Sequence, residues 1–315
     1  MRLATLNDGT PDGRLVLVSP DGTACAPAPV ATLQQLLERW DEHAAACGAV
    51  TDFPDALDAQ TLAAPLPRAW QWLDGSAYDS HGALMDQVFG ISPERTGLPL
   101  MYQGMSDRFY GPRDDVPLPS EELGIDFEGE FGVIVGAVPM GTPAETALDH
   151  VRLVVQINDW SLRALAGPEM KTGFGWVQAK PACSLAGIAV TPDELGDGWR
   201  DGRVCLDLLV DWNGQRFGAP NGAPMAFGFH ELIAHAARTR ALPAGTIIGS
   251  GTVSNANFRE VGSTCIAERR GIEIVDEGKA RTDFMRFGDT VRMEARTADG
   301  RAPFGAIEQQ VVQAG

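Results

Sequence analysis

The chain has 315 residues, of which 42 are Asp or Glu and 25 are Lys or Arg, giving a formal net charge of −17. This acidity argues against a nucleic-acid-binding protein and against docking on anionic membranes, since both functions require a local excess of Lys and Arg. Hydrophobic residues make up 44% of the chain, near the norm for globular proteins, so we expect a folded protein with two domains.

The N-terminal region predicts two short strands followed by a helix. The strands are expected at Arg2–Leu6 and Leu15–Ser19, on either side of a polar link that contains glycine. Thr32 is the expected N-cap of the helix, because Gln35 follows at the spacing of a capping box and leucines then recur on one helical face. Gly48 is the expected helix end.

The rest of the chain is predicted to consist mostly of strands, at Phe131–Val138, Arg152–Ile157, Val204–Val210, Thr246–Ser250, Gly271–Val275, Thr290–Ala295 and Phe304–Val311. One helix is expected to begin near Thr142, before a proline at the first helical position, and another spans Phe229–Thr239. We therefore expect a mainly β protein with short helices (α+β). A small strand-and-helix domain over residues 1–66 would precede a larger domain over residues 67–315, with a linker at Ala63–Arg68.

No targeting segment or membrane span is expected from the sequence. The N-terminus lacks the apolar run of a signal peptide, and no stretch approaches the roughly 18 apolar residues of a membrane span. The five cysteines are scattered, and none forms a CxxC pair. A disulfide framework or a zinc site is therefore unexpected, and the cytoplasm is the expected location.

Two glutamates near the start of a predicted strand form the first candidate site. Glu128 and Glu130 are two residues apart, so their side chains project from the same face of the sheet. Like charges side by side on a sheet repel each other, and either solvent or a cation must relieve the repulsion. The spacing by itself leaves these two alternatives open.

Four further residues are candidates that each have a plain structural interpretation. Asp74 precedes a glycine and Asp159 ends an apolar strand, so a turn or a helix cap explains both. His81 follows Asp74 by seven residues, and a lone histidine is more often structural than catalytic. Lys180 lies in an otherwise uncharged stretch, where it is either half-buried and reactive or, the favoured interpretation, a solvated tip.

A glycine loop follows the predicted strand Thr246–Ser250. Gly251 and Thr252 belong to this loop, whose backbone N–H groups could contact a carboxylate or an oxyanion. Its glycine spacing is not that of a dinucleotide-binding loop. The candidate residues together offer oxygen atoms, with few histidines and no clustered thiols, a set that selects a hard cation: Mg²⁺, Ca²⁺ or Mn²⁺.

The order of these residues along the chain resembles the fumarylacetoacetate hydrolase family, in its bacterial two-domain form. The motifs run from about Leu73 to the C-terminus, in the order D-(x)6-H, E-x-E at a strand, N-D-W-S-x-R, A-K and G-S-G-T-V-S. The resemblance implies a small SH3-like N-terminal domain, a mixed β-roll and a homodimer. It also implies that the protein binds Mg²⁺ or Ca²⁺ and acts on a small diketo acid.

The resemblance assigns roles to particular residues. It implies metal ligands at Asp74, Glu128, Glu130 and Asp159. It implies catalytic roles for His81 as general base, for Lys180 as the active-site lysine, and for Glu268 as the acid that orients the histidine, although the spacing of Glu268 from the glycine loop differs by two residues from the family form. It implies substrate contacts from Tyr102, Gly251 and Thr252, with Arg163 as a further positive charge for an anionic substrate.

The implied activity is metal-dependent hydrolysis of a carbon–carbon bond in a β-diketo acid, such as fumarylacetoacetate or an acylpyruvate. Aromatic degradation, including tyrosine catabolism, is the commonest setting of the family. Decarboxylation or tautomerisation of an oxo-acid at the same metal site is the alternative, and His81 favours hydrolysis because a hydrolase needs a base to activate water. An inactive scaffold that binds a small acid is the third alternative. Departures from the family pattern after His81, at Met105 and after Arg163 leave the substrate open.

Overall fold

The computed structural model describes residues 1–90 and 97–315. Its α-helices are α1 (Leu33–Glu38), α2 (Trp40–Gly48), α3 (Asp79–Phe89), α4 (Ala144–Ala147), α5 (Arg163–Met170), α6 (Phe229–Ala236), α7 (Phe258–Val261) and α8 (Ile266–Glu277). None of these helices has the length and apolar character needed to cross a membrane.

The strands outnumber the helices. They are β1 (Arg2–Leu6), β2 (Arg14–Val18), β3 (Ala24–Pro27), β4 (Asp55–Ala56), β5 (Trp72–Gly75), β6 (Met101–Gly104), β7 (Val116–Leu118), β8 (Ile125–Asp126), β9 (Gly129–Val135), β10 (Val151–Asn158), β11 (Ser161–Leu162), β12 (Ser184–Leu185), β13 (Ile188–Val190), β14 (Trp199–Arg200), β15 (Arg203–Val204), β16 (Asp207–Trp212), β17 (Gln215–Gly218), β18 (Thr246–Gly249), β19 (Thr290–Arg296) and β20 (Ala306–Gln313). The protein is therefore mixed α+β, mostly sheet with short helices, as the sequence predicts.

Most strands belong to one eleven-stranded sheet, whose order is β4-β3-β2-β1-β13-β10-β9-β18-β5-β6, with β12 also pairing β10. Its strands pair antiparallel except for β18 and β5, which run parallel. A second sheet has the order β17-β16-β19-β20-β7. The N-terminal strands continue the larger sheet, because β1 pairs with β13 and Arg2 lies opposite Val190. The N-terminal region and the rest of the chain thus share one sheet.

The central strand β9 is buried on both faces. Phe131, Val133 and Val135 lie in a hydrophobic cluster shared with the second sheet, whereas Ile134 lies in a cluster under helix α1. Alternate side chains of a strand point to opposite faces, so this division follows from the pleat. Burial on both sides explains why the strand appears in the sequence as a continuous apolar run.

The N-terminal predictions are confirmed in outline, but strand β2 begins and ends one residue earlier than predicted and the helix is broken. Strand β1 has the predicted bounds, and the Thr32 hydroxyl caps α1 by accepting the Gln35 N–H at 3.2 Å. The Gln35 side chain accepts the N–H of Ala31 rather than that of Thr32. The single predicted helix is two helices, α1 and α2, because Arg39 between them leaves the helical conformation, with φ −124° and ψ 37°.

The predicted strand Gly271–Val275 is wrong, since these residues lie within helix α8. Alternating isoleucines in this segment imitate the period of a strand. Gly271 and Ile272 are instead buried on one side of a helix, and a Cβ at Gly271 would meet the side chains of Met85 and Val88 on α3. Packing between two helices, which the local pattern does not contain, decides the structure here.

Several other boundaries differ from the predictions, and strand β9, for example, ends at Val135 rather than at Val138. The segment Val204–Val210 contains the end of β15 and the start of β16 rather than one strand. The helix expected near Thr142 begins at Ala144 and lasts about one turn, and the helix expected to reach Thr239 ends at Ala236. Such shifts at element ends do not alter the sheet order.

Candidate active site

Three of the predicted metal ligands meet at the centre of the larger sheet. Asp74 lies on β5, Glu130 on β9 and Asp159 directly after β10. One carboxylate oxygen of each lies within 4.8 Å of one oxygen of each of the others, and all three side chains are buried. The turn interpretation of Asp74 is wrong, because the residue lies within a strand. We call these three residues the acidic triad.

Glu130 has both side-chain oxygens buried without a hydrogen-bond partner among the described residues. Burial, and then the charge of Asp74, raises the pKa of Glu130 well above its usual range. Burial, and then the charge of Asp159, raises the pKa of Asp74 in the same way. Three buried carboxylates that repel each other fit a divalent cation held by oxygen atoms. The residues present therefore fit the metal that the resemblance implies.

Lys180 is buried beside the acidic triad, so the prediction of a solvated tip is wrong. Its Nζ donates to Asp159 Oδ2 at 2.7 Å and to Glu128 Oε2 at 2.8 Å. Burial disfavours the charged form, but the carboxylates of Asp159 and Glu128 outweigh it and raise the pKa of Lys180 above its usual range. The ammonium group therefore stays charged at neutral pH and is suited to stabilise negative charge rather than to act as a nucleophile.

Glu128, the fourth predicted ligand, is paired with cations of the protein. Its Oε1 accepts from Arg163 Nη2 at 2.5 Å and from Ser161 Oγ at 3.1 Å, and its Oε2 accepts from Lys180. Burial opposes ionisation, but the charges of Lys180 and Arg163 outweigh burial and hold the pKa of Glu128 well below its usual range. Glu128 lies beside the acidic triad, and its role as a metal ligand stays a prediction.

Arg163 connects this region to helix α8. Its Nε donates to Asp126 Oδ2 at 2.7 Å. Asp126 in turn accepts the backbone N–H groups of Ile266 at 2.7 Å and Ala267 at 2.9 Å, so it caps the positive end of α8. Because two buried carboxylates already hold the guanidinium of Arg163, its contact with a substrate stays a prediction.

Helices α3 and α8 bring His81 and Glu268 together. His81 Nδ1 lies 3.4 Å from Glu268 Oε1, and the glutamate is fully buried whereas the histidine is 19% exposed. A hydrogen bond from Ser80 Oγ to Ser254 Oγ, at 2.9 Å, holds the start of α3 against the glycine loop. A buried carboxylate at Nδ1 can orient the ring, and the role of His81 as general base stays a prediction.

Tyr102 contacts the acidic triad directly. Its hydroxyl donates to Asp159 Oδ2 at 2.6 Å, from the edge strand β6. Its ring packs edge-to-face against Trp176, with ring centres 4.9 Å apart. Lys180 Nζ lies 5.6 Å from the centre of each of these two rings, within range of a cation–π interaction. Two aromatic rings thus border the ammonium group.

The backbone of the glycine loop contacts a carboxylate of the protein. A carboxylate and an oxyanion are the two alternatives that its sequence leaves open. Gly251 donates its N–H to Asp74 Oδ1 at 3.1 Å, and Thr252 is buried next to it. Gly251 has φ +75°, and a Cβ there would lie 2.4 Å from the carbonyl oxygen of Gly75. Only glycine fits this close approach of two backbones.

Replacing Gly251 with alanine should weaken the fold through both strain and collision. Gly278→Ala is the matched control, because Gly278 has φ +80° but no atom within 4 Å of its Cβ position. The control should cost about 1–2 kcal/mol of unfolding free energy from the left-handed backbone alone. Gly251→Ala should cost about 1–3 kcal/mol more from overpacking, measured by urea unfolding. Equal losses in the two variants would contradict the close approach.

Sequence reasoning missed three residues at the site. Asp126 caps α8, Trp176 borders Lys180, and the Cys183 thiol donates to Asp159 Oδ1 at 2.8 Å. Each lies within four positions of a predicted site residue, Glu128 or Lys180. The hydrogen-bonding and aromatic side chains next to these two residues are the signal in the sequence that points to them.

The sequence matches two family models in succession. The model described as Fumarylacetoacetase N-terminal domain 2 matches residues 1–68, and the model described as Fumarylacetoacetate (FAA) hydrolase C-terminal matches residues 71–312. Among curated proteins, a 2,4-didehydro-3-deoxy-L-rhamnonate hydrolase of Sphingomonas sp. (strain SKA58) is 31% identical over 157 residues, which cover 49% of this chain and 52% of that protein. The chain thus spans about half the length of this curated relative.

Solved structures that are similar in fold include two enzymes. The maleylpyruvate hydrolase from Sphingobium sp. SYK-6, in complex with manganese(II) ion and pyruvate, has a TM-score of 0.68 at 20% identity. The 5-carboxymethyl-2-hydroxymuconate delta-isomerase from Mycobacterium smegmatis has a TM-score of 0.64 at 19% identity, and both similarities cover 100% of both chains. Because the C-terminal family model spans most of the sequence, the chain belongs to the fumarylacetoacetate hydrolase family.

Proposed function

We propose that the protein is a metal-dependent hydrolase that cleaves a carbon–carbon bond in a small β-diketo acid of the fumarylacetoacetate or acylpyruvate class. The observation that carries this proposal is the buried acidic triad, in which the oxygens of Glu130 have no partner in the described part of the chain. The ammonium group of Lys180 would supply the positive charge that such a hydrolysis requires. His81, paired with Glu268, would supply the base.

The acidic triad, together with Glu128, would hold Mg²⁺, Ca²⁺ or Mn²⁺. When bound, the cation acts as a Lewis acid on the oxygens of a dicarbonyl substrate. An all-oxygen donor set supports a hard cation. Manganese in the similar maleylpyruvate hydrolase structure supports the same choice.

Lys180 is proposed to stabilise the negative charge that forms on a substrate oxygen. Its ammonium is held in a fixed position by Asp159 and Glu128, so little reorganisation is needed when that charge develops. Tyr102, which hydrogen-bonds Asp159 and borders the ammonium with its ring, would contact the substrate beside it. Gly251 and Thr252 would border the substrate from the glycine loop, and Arg163 would add positive charge that attracts an anion.

His81 is proposed to take a proton from the attacking water through Nε2. Glu268 at Nδ1 would hold the ring and stabilise its protonated form. The hydroxide then attacks the carbonyl carbon remote from the carboxylate, and the bond from that carbon to the neighbouring methylene breaks. The methylene carbon receives a proton, so an acylpyruvate yields pyruvate and a second carboxylic acid.

Decarboxylation or isomerisation of an oxo-acid is the second candidate function. The structural similarity to a delta-isomerase supports it, since that enzyme has the same fold. His81 favours hydrolysis, because a hydrolase needs a base to activate water and His81 is the proposed base. The third alternative is an inactive scaffold that binds a small acid. The contact between His81 and the buried Glu268 argues against it, because binding alone does not require an oriented histidine.

The cellular setting is proposed on the resemblance and on composition. A cytoplasmic homodimer that acts in aromatic degradation, including tyrosine catabolism, agrees with the family pattern, and the five cysteines are free. A small-molecule acid would be the partner, and nucleic acid or a membrane would not, because the net charge is −17. The SH3-like character of the N-terminal region is part of the same proposal.

Turnover of a panel of diketo acids tests the proposed function. Metal-free protein would be assayed with acylpyruvates, fumarylacetoacetate and oxaloacetate, with and without Mn²⁺, Mg²⁺ or Ca²⁺. We expect metal-dependent release of two carboxylic acids from at least one diketo acid. Loss of CO₂ from oxaloacetate without any cleavage of diketo acids would favour the decarboxylase, and hydrolysis that persists with a chelator would contradict the metal-dependent scheme.

A further inference from the structure

The segment between helix α5 and Lys180 forms one wall of the site. Phe174 is 95% exposed and Val177 is 82% exposed, whereas Trp176 between them is half-buried. The Trp176 ring packs against Tyr102 and lies 5.6 Å from Lys180 Nζ. A segment that is otherwise open to solvent therefore turns one large side chain toward the acidic triad.

The side chain of Glu169, in the last turn of α5, holds this segment by binding the segment's backbone N–H groups. Its carboxylate accepts the N–H groups of Val177 at 3.1 Å, Gln178 at 2.9 Å and Ala179 at 2.9 Å. A negative charge near the C-terminus of a helix is unfavourable, so the helix itself does not explain this glutamate. The backbone N–H groups of Gln178 and Ala179 lower the pKa of Glu169, so the carboxylate stays charged at neutral pH.

A second hydrogen bond fixes the end of the segment next to Lys180. The carbonyl oxygen of Ala179 accepts the N–H of Leu162 at 2.8 Å, while its N–H bonds to Glu169. The Trp176 indole N–H also donates to Ala166 on α5, at 3.2 Å. The backbone that carries Lys180 is thus anchored on both sides, with Glu169 making three of the contacts.

We propose that Glu169 is a positioning residue of the active site, which holds residues 177–179 so that Trp176 and Lys180 face Tyr102 and Asp159. The effect on catalysis rests on the proposed function, whereas the effect on Lys180 does not depend on any substrate. Glu169 acts through the backbone and is not itself a catalytic residue.

Chemical labelling of lysine tests the position of Lys180 without a substrate. The chain has three lysines, and Lys171 and Lys279 are exposed. Reductive methylation of the full chain, followed by peptide mass spectrometry, gives the labelling rate of Lys180 relative to Lys279. Wild-type Lys180 should be protected, and Glu169→Ala should raise its relative rate about tenfold or more, because release of the segment opens the site locally.

A carboxylate that binds a backbone N–H group far from the site provides the matched control. Asp58 is exposed and accepts the N–H of Gln60 at 2.9 Å in the N-terminal region. Asp58→Ala should leave the labelling of Lys180 unchanged. If Glu169→Ala fails to fold, Glu169→Gln keeps the side-chain size, removes the charge and serves in its place. Protection of Lys180 equal to wild type in a folded Glu169 variant would overturn the proposal.

Kinetics separates positioning from a merely structural role. With a diketo acid that the wild type hydrolyses, Glu169→Ala should lower kcat by about 100-fold, the scale expected when a catalytic group is displaced by about 1 Å. Its Mn²⁺ affinity should stay close to wild type, because no triad carboxylate is changed. In the double variant Trp176→Ala/Glu169→Ala, the loss of transition-state stabilisation calculated from kcat should be smaller than the sum of the two single losses. The reason is that both residues belong to the same wall of the site.

The outcomes for the two proposals can be told apart. The positioning role of Glu169 would be overturned if the effects of the two substitutions on kcat were additive in the double variant. It would also be overturned if Glu169→Ala lowered stability but left kcat unchanged. A wild-type protein that hydrolyses no diketo acid would contradict the proposed function, and the labelling of Lys180 would still decide whether Glu169 holds the segment.

Discussion

Replacing Glu130 with glutamine should abolish metal binding while leaving the metal-free protein at least as stable as the wild type. The glutamine has the same size but removes a buried charge that repels Asp74 and has no partner in the described chain. At a Mn²⁺ concentration of 100 times the dissociation constant, the wild type should gain about 2.7 kcal/mol of stability. The variant should gain far less. Urea unfolding with and without Mn²⁺, together with titration calorimetry, measures both effects.

Glu145→Gln is the control for this substitution, because Glu145 is exposed on helix α4. It should keep the full response to Mn²⁺. A Glu130→Gln variant that binds Mn²⁺ as tightly as the wild type would show that the acidic triad is not the metal site.

The same carboxylates predict how the stability of the metal-free protein changes with pH. The pKa values of Glu130 and Asp74 are raised in the folded state, so the folded protein binds more protons than the unfolded one. Stability should therefore fall as pH rises above the ordinary glutamate value of 4.5, until the pH passes the raised pKa values. Glu130→Gln should reduce this fall, and addition of Mn²⁺ should oppose it, because the metal binds the deprotonated carboxylates.

Replacing His81 with alanine should lower turnover severely and leave the metal site intact. His81 lies outside the acidic triad, so the affinity for Mn²⁺ should stay within the error of the wild-type value. Loss of a general base should lower kcat by about 10²–10⁴-fold. Steady-state kinetics on the diketo acid found in the panel, with calorimetry of Mn²⁺ binding on the same sample, checks both halves of the prediction.

Two companion variants sharpen the role of His81. Glu268→Gln keeps the shape of the carboxylate that faces Nδ1 but removes its charge, so kcat should fall while Mn²⁺ binding persists. Asp159→Ala should lose both turnover and Mn²⁺, because Asp159 belongs to the triad and also holds Lys180. Wild-type turnover by His81→Ala would assign the base to another group.

Features that depend on neighbouring residues could be predicted from the sequence. The Thr32 cap depends on a contact with Gln35, three residues along the chain, and the apolar run of β9 depends on residues adjacent in the chain. The acidity, the mainly β class and the order of acidic residues along the chain follow from the sequence in the same way. The ordered motifs also sufficed to predict the family.

The tertiary structure alone decided how the polar residues are paired and how deeply they are buried. Lys180 is buried because Asp159 and Glu128 reach it from other parts of the sheet, and Arg163 pairs with Glu128 across the same region. Gly271 lies in a helix because α3 packs against it. These contacts join residues far apart in the chain. The free energy of burying a charged side chain, and the choice between helix and strand for a segment with alternating apolar residues, both depend on such partners. A local pattern therefore leaves burial, pKa and pairing open until the fold brings the partners together.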